Sequence, residues 1–299
     1  MKIKESYHTY AIITILFWSL SYVLTRLSSQ YFSAFALGFL RYAFASVALI
    51  IVALVARIKL PDKKDIGWFL LAGFIGFFLY VVVFNLGCKE VSSGTSSVII
   101  ATVPMMTALL ARFFYNEKLS AMKWTASAVE FSGVVVLALL DSTFSFNTGL
   151  AWLIVASLLL SVYNLLQRKI TKKYSGLQAS AFGIFFGTLL LTAFLPHALT
   201  QAKVAPPIVF VYIAIMGVFS SALAYAAWAQ AFKKAKNASS VSNYMFVTPF
   251  LASLLGFLLA GEKLDKPTLI GGGIILLGLF LFNFGDKLFT KKEKITAGD

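Results

Sequence analysis

The sequence predicts an all-α integral membrane protein: ten transmembrane helices, arranged as two inverted five-helix repeats around a central cavity. Three observations predict it: a composition too apolar for a wet surface, ten apolar runs of spanning length, and a motif that recurs at a fixed offset. Hydrophobic residues make up 59% of the 299, charged residues only 13%, and mean hydropathy is +0.84. A soluble domain carries about 25% charged residues to wet its exterior. Most of this chain's exterior must therefore face lipid.

A helix needs ~20 apolar residues to cross the hydrocarbon layer. Runs of that kind fall at 8–28, 34–56, 66–88, 92–114, 122–140, 147–168, 177–195, 207–232, 238–259 and 268–286. The first follows a basic, polar start (Met1 to Tyr7). It is too long for a signal-peptide core and lacks a small-residue cleavage site, so it reads as a retained helix. Pro61-Asp62 separates the second run from the third, and Pro206-Pro207 opens the eighth. Asp265-Lys266-Pro267 has the order of an N-cap followed by proline in the first turn, just ahead of the tenth. Trp68, Trp124 and Trp152 lie near helix starts, where an amphipathic ring suits the headgroup layer. The joints are short and leave no room for an extramembrane domain.

A net charge of +14 invites comparison with nucleic-acid binders, but the placement of the charge argues for a membrane instead. With the N-terminus cytoplasmic, 20 of the 26 Lys and Arg fall on the cytoplasmic side of a ten-span topology. Lys89, Lys203, Lys263 and Lys266 lie outside, and Arg26 and Arg41 lie within helices. That bias follows the positive-inside rule and predicts a multi-pass protein of the cell membrane (inner or plasma) with both termini cytoplasmic. The expected partners are lipid and a small-molecule substrate, with no nucleic acid, in a monomer or homodimer. The single cysteine, Cys88, excludes an intramolecular disulfide and a cysteine-based metal cluster. No cofactor and no metal site are expected.

An offset of 145 residues aligns the two halves, 1–141 and 142–299. Pro104 falls on Pro249, Glu117-Lys118-Leu119 on Glu262-Lys263-Leu264, and Gly133 on Gly278. Tyr80 falls on Tyr225, Ser97 on Ser242, and Trp18 on Tyr163. Each half holds five spans, an odd number, so the second must insert upside down relative to the first. Inverted repeats recur in secondary transporters, whose substrate site lies near the midplane between the halves.

At these residues the chain resembles the ten-helix EamA-type branch of the drug/metabolite transporter superfamily. Trp18-Ser19 in the first helix and Arg41-Tyr42 in the second match its pattern. So does the series Pro104, Glu117, Gly133, repeated as Pro249, Glu262, Gly278. The resemblance covers essentially the whole chain. It implies two inverted repeats around a cavity and transport of small organic molecules, often export of amino acids or amphipathic compounds. It does not name the substrate.

Candidate residues follow from what is costly in lipid. Trp18, Tyr22, Tyr80, Tyr163, Tyr225, Trp228 and Tyr244 place polar-tipped rings at or near mid-helix, where each is either core packing or part of an aromatic pocket. Ser97, Asn164 and Asn243 supply hydroxyl and amide groups that either bridge helices or meet substrate. Pro104 and Pro249 each remove a backbone donor and mark fixed kinks or hinges. Glu130, in mid-span, is a proton site or half of a charge pair. Arg41, about one-third into the second helix, is a partner for a substrate carboxylate or, as the resemblance implies, a structural residue. Glu117 and Glu262, near the interface, read as structural.

His8 and His197 lie near span ends, and neither a nucleophile motif nor a metal-ligand spacing is present. An intramembrane enzyme is thereby disfavoured. Kinked, aromatic inverted repeats likewise speak against a passive channel. Within transport, export of amino acids or related zwitterions comes first, and movement of organic cations or drugs is the alternative.

Overall fold

The computed structural model describes residues 6–91, 93–139, 148–260 and 266–296, and no strand occurs among them. They form ten helical spans: α1 (Tyr7–Ser28), α2 (Ala34–Val55), α3 (Lys63–Glu90), α4 (Ser93–Ile100 continued by Val103–Tyr115), α5 (Ala121–Leu139), α6 (Thr148–Ile170), α7 (Gly176–Ala202), α8 (Pro207–Lys234), α9 (Ala238–Leu259) and α10 (Lys266–Thr296). Eight are long and apolar enough to cross a membrane on that basis alone. The other two are α5, which carries Glu130, and α10, whose apolar stretch is Ile270–Asp286. The expected boundary at 141/142 lies outside the described residues, as does Glu262.

Local chemistry sets the helix starts. The side chains of Ser6, Ser33 and Asn237 accept from His8, Ala36 and Ser240 backbone N–H groups at 3.3, 3.3 and 3.0 Å. Ser175 and Gln178 close a reciprocal box at the start of α7. Asn116 ends α4 in the left-handed region (φ 51°), which asparagine tolerates better than most residues.

Side-chain contacts sort the helix ends onto two faces. On the first, Tyr7 of α1 donates to Asn283 of α10 (3.4 Å), and Ser120 ahead of α5 donates to Asp286 of α10 (2.8 Å). On the same face Lys173, between α6 and α7, meets Asp62 and Asp65 at the start of α3. Hydrogen bonds from Lys173 to Asp62 and Asp65 hold its ammonium above the usual lysine range. On the opposite face, the Ser33 backbone N–H donates to Gln201 at the end of α7 (2.9 Å), and Asn85 late in α3 donates to the Ala34 carbonyl (2.8 Å). The helices alternate in direction, and the basic joints gather on the first face.

Packing repeats when the halves are exchanged. The α1 helix lies on α8 and α9, as α6 lies on α3 and α4, while α2–α7, α4–α9 and α5–α10 pair with their own equivalents. Burial agrees: α1 and α6 are each 61% buried along their spanning windows, whereas α2 and α7 are 33% and 39%. The first pair therefore forms the centre and the second the flank. Outward-facing Leu54, Val55 and Phe113 are 73%, 81% and 79% exposed, a surface that only lipid can satisfy.

Besides a short 3₁₀ stretch late in α7 (Thr192–Phe194), four helices depart from regular α geometry, in two matched pairs. The α3 helix contains a π stretch, Phe74–Leu79, and α8 contains another, Met216–Leu223, which overlaps it at the 145-residue offset. In α4 a turn at Ala101-Thr102 precedes Pro104, and in α9 a 3₁₀ stretch, Asn243–Val247, precedes Pro249. Each proline sits in the first turn of a second half-helix, where a backbone N–H has no partner to lose. The break lies one turn upstream of the proline in both halves.

Candidate functional site

The four irregular helices converge on the middle of the bundle, where α1 and α2 meet them. The π stretch of α8 suspends the ordinary i→i−4 pairing, and side chains from the neighbouring helices use the groups it presents. Trp18 Nε1 of α1 donates to the Ser220 carbonyl (3.1 Å), and Arg41 Nε of α2 donates to Ser221 Oγ (2.7 Å). In the other half, Gly76 within the α3 π stretch receives the ring of Tyr163. A Cβ at Gly76 would stand 2.2 Å from Tyr163 Cδ2, so the ring and the helix approach only because that position is glycine.

Trp18, Tyr22, Arg41, Tyr80 and Tyr225 line a cavity of ≈ 10 Å³ at this centre, room for about one water. Trp18 packs against Tyr225 and Trp228 with centroids 4.9 Å away in each case, and Phe84 packs against Tyr22 (5.4 Å) and Tyr80 (5.5 Å). Met245 and Thr248, from the irregular part of α9, complete one wall, and Thr248 Oγ1 is buried without a hydrogen-bond partner. Arg41 is 4% exposed, and no carboxylate among the described residues lies within 4.0 Å of it. A guanidinium offers planar donors that match a carboxylate in bidentate fashion. The centre is thus a small, closed, aromatic chamber with one cation in its wall. Any ligand larger than water enters only as helices or rings move.

Five of the residues singled out in the sequence line this chamber, and others stand just behind it with polar groups already satisfied. Trp228 Nε1 donates to Asn164 Oδ1 (2.9 Å), Asn164 Nδ2 donates to Thr107 Oγ1 (3.2 Å), and the Tyr163 hydroxyl accepts from Gln167. Ser97 is buried in the first half of α4, outside the chamber wall. Asn243 turns the other way and donates to Glu130 Oε1 of α5 (2.8 Å). Tyr244 joins His8 at a separate apolar groove of ≈ 490 Å³ between α1, α9 and α10. Arg41 and Glu130 do not pair.

Sequence reasoning missed Ser221, which orients Arg41, and the lining residues Ser21, Phe84, Met245 and Thr248. Ser221 is a small residue in an apolar run, and only the π stretch aims it at Arg41. The matched π stretches carry no helix-breaking signature. Glu117 accepts the Ala238 backbone N–H at the start of α9 (3.0 and 3.2 Å) and lies 4.0 Å from Arg168 Nε. Arg168 in turn donates to the Phe232 and Ala235 carbonyls at the end of α8 (3.2 and 2.6 Å). Among the described residues no group of three His, Cys, Asp or Glu side chains is placed to hold a metal.

Ten alternating helices, eight of them long and apolar enough to span, with repeated packing and a closed polar-aromatic centre, define a multi-pass membrane protein with the two-repeat architecture of secondary transporters. The EamA-like transporter family matches this chain twice, over residues 6–139 and 147–284, and the chain belongs to that family. It is 30% identical over 273 residues to the uncharacterized transporter YdfC of Bacillus subtilis, covering 89% of this chain and 87% of the relative. It is 29% identical over 291 residues to a Streptantibioticus cattleyicolor protein named "probable terminal-alkyne amino-acid exporter", covering 96% of each. Identity to the uncharacterized inner membrane transporter YedA of Escherichia coli K12 is 24%, over 93% and 90% of the two chains. A solved crystal structure shares the fold at TM-score 0.75 and 18% identity, covering 91% of this chain and 94% of its own.

Proposed function

We propose that the protein exports amino acids or related zwitterionic compounds by alternating access, with the Arg41 guanidinium receiving the substrate carboxylate. The observation that carries this reading is a buried arginine, without a carboxylate partner among the described residues, in the wall of the central chamber. Burying a cation is expensive unless something pairs with it, and a substrate carboxylate would supply the missing partner. Trp18, Tyr22, Tyr80 and Tyr225 would enclose the remainder of the molecule, which favours aromatic or large neutral side chains. The name of the Streptantibioticus relative points the same way. The excess of Lys and Arg on the face that carries Lys173 and Arg168 supports placing that face in the cytoplasm.

Organic cations or drugs remain the second reading, favoured by the aromatic lining and opposed by the positive charge of Arg41 in the same wall. Ligand-induced stabilisation separates the two. A ligand at 100 times its Kd adds about 2.7 kcal/mol to apparent stability. Purified protein should gain thermal stability with L-phenylalanine and lose that gain in Arg41→Gln, whereas L-phenylalanine methyl ester should give little in either protein. Stabilisation by tetraphenylphosphonium that survives in Arg41→Gln, with none from free amino acids, would select the cation reading.

A further inference from the structure

Glu130 is fully buried in α5, and its two carboxyl oxygens are treated unequally. Oε1 accepts from Asn243 Nδ2 at 2.8 Å, while Oε2 is buried with no hydrogen-bond partner. Among the described residues no Lys, Arg or His nitrogen lies within 4.0 Å of it. The helix surface around it is close-packed: a Cβ at Gly278 of α10 would stand 2.4 Å from Glu130 Cγ.

The elements packed on α5 are α10, the first half of α4 and the 3₁₀ stretch of α9. The ionisable residues of α10 stand at its two ends, Lys266 at the start and Asp286 onward at the other, with Asp286 engaged by Ser120. The first half of α4, Ser93–Ile100, has none. The 3₁₀ stretch offers only Tyr244, which is turned to His8. On α5 itself Lys123 lies toward the start, over the Phe282 ring. A carboxylate here keeps one hydrogen bond and meets no cation among the described residues, so any negative charge on it would go poorly compensated.

The partner that holds the carboxyl is itself part of the irregular segment. Asn243 opens the 3₁₀ stretch, which runs through Met245 to Val247 and hands over to the α-helical half at Thr248, and Met245 and Thr248 form a wall of the central chamber. The same short, non-α backbone thus touches the chamber on one side and Glu130 on the other.

We infer that Glu130 is the proton-binding site of the transport cycle, protonated in the closed conformation seen here and released to water when the 243–248 segment rearranges around a substrate. The inference rests on the transport reading but adds the coupling ion. Per cycle one O–H bond at Glu130 breaks, its proton passes to water on the side then open, and the carboxylate takes a proton from the opposite side on the return.

Infrared spectroscopy of the purified protein reads the carboxyl without any substrate. The C=O stretch of a protonated carboxylic acid should be present at neutral pH and lost in Glu130→Gln. An Asn243→Ala change, which removes the hydrogen bond, should shift its frequency. In proteoliposomes, flux of labelled L-phenylalanine should respond to an imposed pH gradient, and that response should disappear in Glu130→Gln. If Glu130→Gln does not fold, Glu130→Asp keeps a titratable group and should retain the gradient response with a displaced pH profile. A carboxylic-acid band that persists unchanged in Glu130→Gln, or the absence of any such band in the wild type, overturns the inference. So does a gradient response that is the same with glutamine at 130. If L-phenylalanine is not moved at all, the transport reading fails, while the infrared band still decides whether Glu130 holds a proton.

Discussion

Arg41 carries the most weight of any single residue. Among the described residues it is where a guanidinium, an aromatic wall and the bundle centre coincide, and Ser221 fixes one edge of that guanidinium. Hydrogen bonds to a charged group contribute about 1.5–3 kcal/mol. Arg41→Gln should therefore raise the KM for a carboxylated substrate by roughly 10- to 100-fold, while Ser221→Ala should produce a smaller rise in the same direction. Steady-state uptake into proteoliposomes at graded concentrations reads both. Gly76 is the structural counterpart. Gly76→Ala would force the Tyr163 ring or the α3 π stretch to shift, and overpacking of this kind costs about 1–3 kcal/mol. A lowered unfolding temperature in detergent, relieved by a second change of Tyr163→Leu, would check that account.

Among the elements, the irregular pieces of α3, α4, α8 and α9 do the positioning, and they were unevenly legible. The repeated prolines announced the interruptions in α4 and α9, because a missing N–H is written in the residue type. The π stretches were silent, since Phe74–Leu79 and Met216–Leu223 are mostly apolar, with glycine and serine of the kind ordinary spans also carry; their wider winding meets Tyr163 and Trp18 only in the folded bundle. Aromatic repeats such as Tyr80 and Tyr225 could be located by the offset alone. Asn243 could not be assigned its direction, because one residue of 3₁₀ winding decides whether a side chain meets the chamber or α5. At the first face, Glu117 and Arg168 tie the end of α4, the joint of α8 and α9, and α6 into one cluster. Glu117→Ala leaves the Ala238 N–H unmet and Arg168→Met leaves the Phe232 and Ala235 carbonyls unmet, so each should lower stability by about 1–3 kcal/mol. Their double variant should cost less than the sum, since the pair shares one network. Denaturation in mild detergent across the four proteins measures it.

At the scale of the whole molecule, the architecture was readable because lipid leaves few choices. Every apolar run of spanning length must be a helix, charge bias sets the alternation, and an odd number of spans per repeat forces inversion. The substrate was not readable, because recognition depends on a chamber only ≈ 10 Å³ in size whose lining comes from residues far apart in the chain. The halves pack through equivalent pairs, so in the proposed alternating-access cycle an exchange of their conformations would exchange the face that is open. With Cys88 replaced and a cysteine placed at Lys172 or at Lys203, membrane-impermeant maleimide should label the two positions from opposite sides of the bilayer. Labelling of both from the same side would break the ten-span alternation.

The central claim is that this closed aromatic centre passes a carboxylated molecule, recognised by Arg41, from one face to the other. Counterflow in proteoliposomes measures it most directly: vesicles loaded with unlabelled L-phenylalanine, diluted into a trace of labelled L-phenylalanine, should take up label transiently above equilibrium. The overshoot should be absent from protein-free vesicles and from Arg41→Gln. An equal overshoot with Arg41→Gln, or none with the wild-type protein for any neutral or aromatic amino acid, would contradict the account.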